Sequence, residues 1–177
     1  GDRIAVVRGR TRTIISGERV ALNFLQHLSG VATAAARFAA VLEGTDTRLL
    51  DTRKTTPGMR RLEKQAVVLG GGENHRMGLW DMALIKDNHI VAAGGIVGAV
   101  EAVRAANADV RIEVEVTSRA ELDQALSAAV DRVMLDNMRP DEMEACVLAA
   151  RRHDTAPEIE ISGGVTVETI GTLASLG

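Results

Sequence analysis

The sequence predicts an α/β protein, an incomplete (β/α) barrel of parallel strands. The first observation is an alternation that begins at residue 45. Arg48–Thr52, Met82–Lys86, Val110–Val116, Arg132–Asp136 and Glu158–Ser162 read as strands. Each is followed by a helical pattern, over Gly58–Leu69, Ile96–Ala106, Arg119–Ala129, Asp141–His153 and Val167–Leu176. A doubly wound sheet and a barrel both fit that alternation. The second observation separates them. In Val110–Val116, Ile112, Val114 and Val116 fall on one face, and Glu113 and Glu115 on the other. A strand covered by helices on both faces is apolar throughout, so a face with two carboxylates calls for a polar interior. The third is that Lys86, Asp136 and Ser162 each stand at a strand's C-terminal end, the end that carries the active site in (β/α) barrels.

Residues 1–17 read as a strand, a turn at Gly9-Arg10 and a second strand ending near Ile15. A lone hairpin is marginal in water, so this piece is expected to be the tail of an N-terminal α/β domain. Residues 18–44 are expected to form a linking or dimer-lining helix. Val20, Phe24, Leu28, Val31, Ala35, Phe38 and Leu42 recur at helical steps, with Ser16 as N-cap, Gly44 as stop and Gly30 as a point of interruption. Arg19 then falls in the first turn, where a cation opposes the helix dipole. Residues 45–177 are the expected barrel domain. It is C-terminally incomplete: the alternation stops after Leu176, and both ends of the sequence read as cut.

Composition narrows the function. The chain has 177 residues, 46% apolar, so it can build a core, and with only 2% aromatics that core must be aliphatic. A net charge of −3 argues against a general nucleic-acid binder. No signal peptide and no charge-free run of membrane-spanning length is visible, and the cytoplasm is the expected location. The single cysteine, Cys146, lies among Met143, Val147 and Ala150 in a helical run and reads as a buried structural thiol.

The chemistry gathers at the strand ends. Arg53, Lys54, His75, Arg76 and Lys86 fall within one βαβ-sized span. Such a cluster suits a polyanion, because arginine offers a planar fork to carboxylates and phosphates and lysine a compact charge. Ser162-Gly163-Gly164 precedes a helix near Thr166 or Val167 and could let the backbone approach a phosphate. Glu115 and Asp136 could hold Mg²⁺, directly or through water, or bind sugar hydroxyls. Gly70-Gly71-Gly72 ends a helix rather than opening one, so it is no nucleotide fingerprint. The histidines lack zinc-ligand spacing.

The segments GERVALNFLQHLSGVAT, DTRKTTPGMRRLEKQAV, GGGENHRMGL, ALIKDNHI, EVEV, LDN and EISGG resemble, in order and spacing, the quinolinate phosphoribosyltransferase family. The likeness runs from residue 16 to the end. It implies transfer of a phosphoribosyl group from phosphoribosyl pyrophosphate to quinolinate with loss of CO₂, in a homodimer that uses Mg²⁺. It also implies an incomplete barrel joined to an N-terminal α/β domain. By that resemblance, Thr52, Arg53, His75 and Arg76 hold the quinolinate carboxylates, with Arg19 reaching in from the partner subunit. Lys54 and Lys86 lie between quinolinate and the pyrophosphate, Glu115 and Asp136 face the ribose and Mg²⁺, and Ser162, Gly163 and Gly164 lie at the 5′-phosphate. Two rival readings are a paralogue of the same fold acting on another acceptor and a non-catalytic phosphosugar-binding regulator.

Overall fold

A parallel four-stranded sheet organises the molecule, and its strand order β1-β2-β3-β4 is the order of the chain. The structure, a computed structural model, describes residues 1–176. The helix α1 (Thr11–Val41) comes first, followed by α2 (Arg60–Leu69). Then come β1 (Met82–Ile85), α3 (Asp87–Ala92), α4 (Ile96–Ala106), β2 (Arg111–Val116), α5 (Arg119–Ser127) and β3 (Arg132–Asp136). The described chain closes with α6 (Pro140–Arg152), β4 (Glu158–Ser162) and α7 (Ile170–Ala174). This is the expected incomplete barrel, and the ends of the shared barrel elements coincide with the expected ones or shift by one to three residues.

The two faces of the sheet divide the sequence by parity, because successive side chains of a strand point to opposite sides. Registers Ala83↔Ile112, Ile85↔Val114, Val114↔Val133 and Val133↔Ile159 place one aliphatic row on the outer face. There it packs with Val100 of α4, Leu122 and Ala125 of α5 and Cys146 and Val147 of α6 into a continuous core. The thiol of Cys146 is buried, and burial pushes its pKa up, as a structural cysteine requires. Registers Leu84↔Glu113, Glu113↔Arg132, Arg132↔Glu158, Met134↔Glu160 and Asp136↔Ser162 place the polar row on the inner face. The carboxylates of β2 therefore do face a polar interior.

Four expectations need correction. Residues 1–17 form no hairpin: 1–10 carry no regular structure and Thr11 already begins α1. A strand needs a partner, whereas adding residues 11–17 to an existing helix avoids the cost of nucleation. Ser16 thus lies inside the helix and Arg10 takes the cap position. Gly30 does not interrupt α1 either, and a Cβ at that position would meet open space. The stretch Arg48–Thr52 does not join the sheet. It makes one parallel bridge, Leu50↔Glu73, through Glu73 N–H to Leu49 O at 2.8 Å and Asp51 N–H to Glu73 O at 3.1 Å. Pairing stops there: the His75 N–H bonds to the Asp51 carboxylate instead of a backbone carbonyl, and the His75 ring turns into the interior. Beyond these, a short helix that the alternation did not include, α3, follows β1 at once, with the Lys86 N–H donating to His89 Nδ1 at 3.0 Å.

A cavity of about 1040 Å³ lies between Leu49–Thr52 and the outer flank of β4. Apolar Leu49, Val147, Ile159, Ile161, Ile170 and Leu173 are among its lining residues, so it is the open seam of the barrel. No helix of the described residues is long and apolar enough to cross a membrane.

At the other end, α1 packs on α2 where the chain has no side chain to spare. A Cβ on Gly70 would lie 2.3 Å from Ala32 O and 2.8 Å from Ala35 Cβ. Neither atom belongs to a flexible side chain, so Gly70→Ala should force the helices apart. We expect a loss of about 1–3 kcal/mol, the range for overpacked interiors, read as a lowered thermal midpoint. Gly30→Ala, which meets open space in the same helix, should leave the midpoint unchanged or raise it.

Candidate active site

The expected site residues other than His75 and Arg19 lie at the C-terminal ends of the strands and in the loops beside them. Thr52, Arg53 and Lys54 follow the Leu50 bridge. Thr52 and Lys54 are exposed, and the Thr52 Oγ1 accepts the Lys54 N–H at 3.0 Å. Arg53 is half-buried, and its Nε has no hydrogen-bond partner among the described residues. A buried guanidinium N–H without an acceptor carries a desolvation cost, which an arriving anion would remove. Arg76 lies close by. Its Nη1 donates to Met82 O at 2.9 Å, and burial together with the neighbouring Arg53 charge lowers its pKa. Two arginines that repel each other in a partly buried place form a prepared anion site.

Lys86 ends β1, and its Nζ pairs with the Glu115 carboxylate of β2. Asp136 ends β3, where its Oδ2 accepts the Asn137 side-chain N–H at 2.7 Å. Asn137 in turn donates its backbone N–H to Ser162 O at 3.1 Å, which joins the β3 and β4 ends. Gly163 has a φ of +90°, and a Cβ there would lie 2.2 Å from Asn137 Oδ1. Gly164 is also left-handed, with φ +61°. The Ser162-Gly163-Gly164 turn is therefore tightly packed on one side and open on the other. It does not lead straight into a helix as the sequence suggested: Thr166 and Thr169 form a turn first, and α7 begins at Ile170. The Ser162-Gly163-Gly164 turn therefore ends β4 with no helix end directly behind it.

His75 is placed differently from the rest. Its ring turns into the barrel, and the side chain is only 6% exposed. Nε2 lies 2.9 Å from Glu113 Oε2 and 3.3 Å from Glu160 Oε2, while Nδ1 accepts the Arg76 N–H at 2.8 Å. Arg132 closes the group through Glu160 at 3.2 Å. The backbone of His75 is held as well: its N–H donates to Asp51 Oδ1 at 2.9 Å, and its carbonyl accepts Lys64 Nζ at 2.9 Å. Lys64 is 1% exposed and pairs with Asp51. Sequence reasoning missed Glu113, Glu160, Arg132, Lys64 and Asp51 as parts of this assembly. The one usable signal was the inward parity of Glu113, since Glu113 lies 38 residues from His75 and Glu160 lies 160 − 75 = 85 residues from it.

Arg19 stands apart from these residues. It lies more than two turns inside α1 and is exposed, so the unfavourable first-turn position expected for it does not exist.

Residues 31–177 match the family described as "Quinolinate phosphoribosyl transferase, C-terminal domain". The chain is 43% identical over 175 residues to a probable nicotinate-nucleotide pyrophosphorylase [carboxylating] of Synechocystis, covering 98% of this chain and 59% of that protein. It is 41% identical over 171 residues to the human nicotinate-nucleotide pyrophosphorylase [carboxylating], covering 95% of this chain and 58% of that one. Among solved structures, the nicotinate-nucleotide pyrophosphorylase of Francisella tularensis superposes with a TM-score of 0.88 at 44% identity, over 94% of this chain and 59% of that one. The chain thus spans about three-fifths of the length of these relatives. With the sheet, the strand-end cations and these likenesses in agreement, the chain belongs to the quinolinate phosphoribosyl transferase family.

Proposed function

We propose that this chain carries the catalytic barrel of an enzyme that transfers a phosphoribosyl group from phosphoribosyl pyrophosphate to quinolinate. The ring nitrogen bonds to C1 of the ribose as pyrophosphate leaves, and the adjacent carboxylate departs as CO₂, giving nicotinate mononucleotide. The observation that carries the reading is the pair Arg53 and Arg76, two crowded guanidinium groups at the strand ends with an unpaired Arg53 Nε. The relatives named nicotinate-nucleotide pyrophosphorylase supply the reaction class.

In this reading, Thr52, Arg53 and Arg76 receive the quinolinate carboxylates. Lys54 and Lys86 lie towards the pyrophosphate. Glu115 and Asp136 face the ribose, where their charge stabilises the oxocarbenium-like centre that develops at C1. The Ser162-Gly163-Gly164 turn receives the 5′-phosphate. Glu115 and Asp136 offer hard oxygen donors suited to Mg²⁺, which commonly arrives with substrate phosphates. The ion would neutralise pyrophosphate charge. The working unit is a homodimer in the cytoplasm, with Arg19 of one subunit completing the quinolinate site of the other. The exposure of Arg19 supports that role, because nothing in its own subunit occupies it among the described residues.

Calorimetry with quinolinate and phosphoribosyl pyrophosphate, beside a CO₂-release assay on the full-length protein, tests the reading. Arg53→Ala should weaken quinolinate binding about ten- to a hundredfold, the usual range for a lost charge-assisted contact, and change phosphoribosyl pyrophosphate binding far less. Equal losses would count against the assignment. Lys86→Ala and Asp136→Ala should reduce kcat while leaving the thermal midpoint near that of the parent. A collapse of the midpoint would mark a structural charge instead. Arg19→Ala and Arg53→Ala homodimers should each be nearly inactive, and subunit exchange between them should restore activity at one site per dimer. Exchange without recovery would exclude a shared site.

A further inference from the structure

The ring of His75 has both nitrogens engaged inside the barrel, so it cannot simultaneously offer one to a ligand at the strand ends. We propose that Glu113 is a positioning residue for the anion site: by accepting the His75 Nε2–H it holds the ring so that Nδ1 takes the Arg76 backbone N–H, which aims the Arg76 side chain beside Arg53. The chain of contacts runs without a gap from the interior to the mouth. It passes from Glu113 Oε2 to Nε2 at 2.9 Å, from Nδ1 to Arg76 N at 2.8 Å, and from Arg76 Nη1 to Met82 O at 2.9 Å. Glu113 is fully buried, and a side chain so placed has few other conformations open to it.

Two other states of the same cluster are available to its chemistry. His75, Glu113 and Glu160 present ligand atoms within 4.8 Å of one another, a spacing that a metal ion could occupy. Alternatively, the ring could be an imidazolium, since the two carboxylates push its pKa up to about 9. Both states place a hydrogen on Nδ1: the metal would take Nε2, and the imidazolium carries both protons. That hydrogen would point at the Arg76 N–H across 2.8 Å. The Arg76 contact therefore selects the neutral ring with its proton on Nε2. Glu113 Oε2 accepts that Nε2 proton, while its Oε1 has no hydrogen-bond partner among the described residues. The other charged groups around His75 are compatible with a neutral ring. Arg132 is bound to Glu160, Lys64 and Asp51 are bound to each other and to the His75 backbone, and Arg53 lies beyond Arg76.

The inference rests on the proposed quinolinate site, but the state of the ring needs no ligand, so the two can fail separately. The experiment is ¹⁵N NMR of the histidine rings at pH 7 in the full-length protein and in Glu113→Gln and Glu113→Leu, with quinolinate and phosphoribosyl pyrophosphate calorimetry on each. Glutamine keeps an acceptor for Nε2–H and mimics a protonated carboxyl. The neutral Nε2–H tautomer should appear in the parent and in Glu113→Gln, with quinolinate affinity close to the parent's. Glu113→Leu should lose the tautomer preference and weaken quinolinate binding on the order of ten- to a hundredfold, the scale of a misplaced binding group, with phosphoribosyl pyrophosphate binding retained. An imidazolium in the parent overturns the proposal. So does stoichiometric Zn²⁺ binding through Nε2, or a Glu113→Gln variant that loses quinolinate as fully as Glu113→Leu. If Glu113→Leu does not fold, the parent and glutamine spectra decide alone. If the parent binds no quinolinate, the functional reading fails while the tautomer still decides this one.

Discussion

The structure depends on a single requirement, that charges taken into the barrel be paired there. Burying an unpaired ion costs far more than any one contact returns. Glu113 and Lys64 are both essentially without solvent contact. Lys64 is satisfied by Asp51 and the His75 carbonyl, and Glu113 by the His75 ring. These bonds fasten α2, the segment after Leu50, the loop at residue 75 and β2 to one another. His75 is thus the residue at which these bonds meet, through both its ring and its backbone.

Strand parity divides the labour. The outward row of Ile112, Val114, Val133 and Leu135 meets the helices and supplies the burial that holds the layers together. The inward row places Glu113 level with Arg132, Glu115 and Glu160 both level with Met134, and Asp136 level with Ser162. Two glutamates of one level differ in their partners: Glu160 pairs with His75 and Arg132 in the interior, and Glu115 with Lys86 at the end of β1.

Much of this was legible in the sequence because it is periodic. The alternation gave the element order, and the parity of residues 110–116 gave the polar interior. What failed had a common cause. Arg48–Thr52 reads as a strand, yet its pairing ends after Leu50 because Asn74 and His75 leave the ladder, a decision made by tertiary contacts. The 1–17 hairpin was plausible from local pattern, but a strand is defined by its neighbour and none is present among the described residues. The position of Lys86 at a strand end was legible because it follows β1 directly. Lys64, Glu160 and Arg132 were passed over because an isolated charge on a helix or strand looks solvated until its partner is known.

The sheet order β1-β2-β3-β4 repeats the order in which the ribosome delivers the strands. Each new strand is added at the growing edge, with one or two helices laid down between additions, and none has to be threaded between two already in place. Pairings of modest sequence separation form quickly, so the sheet can extend while later residues are still being synthesised. One contact of long sequence separation is the bond from Glu160 in β4 back to His75. It closes only when β4 arrives, so the interior lock is among the last contacts set, after the scaffold around it already stands.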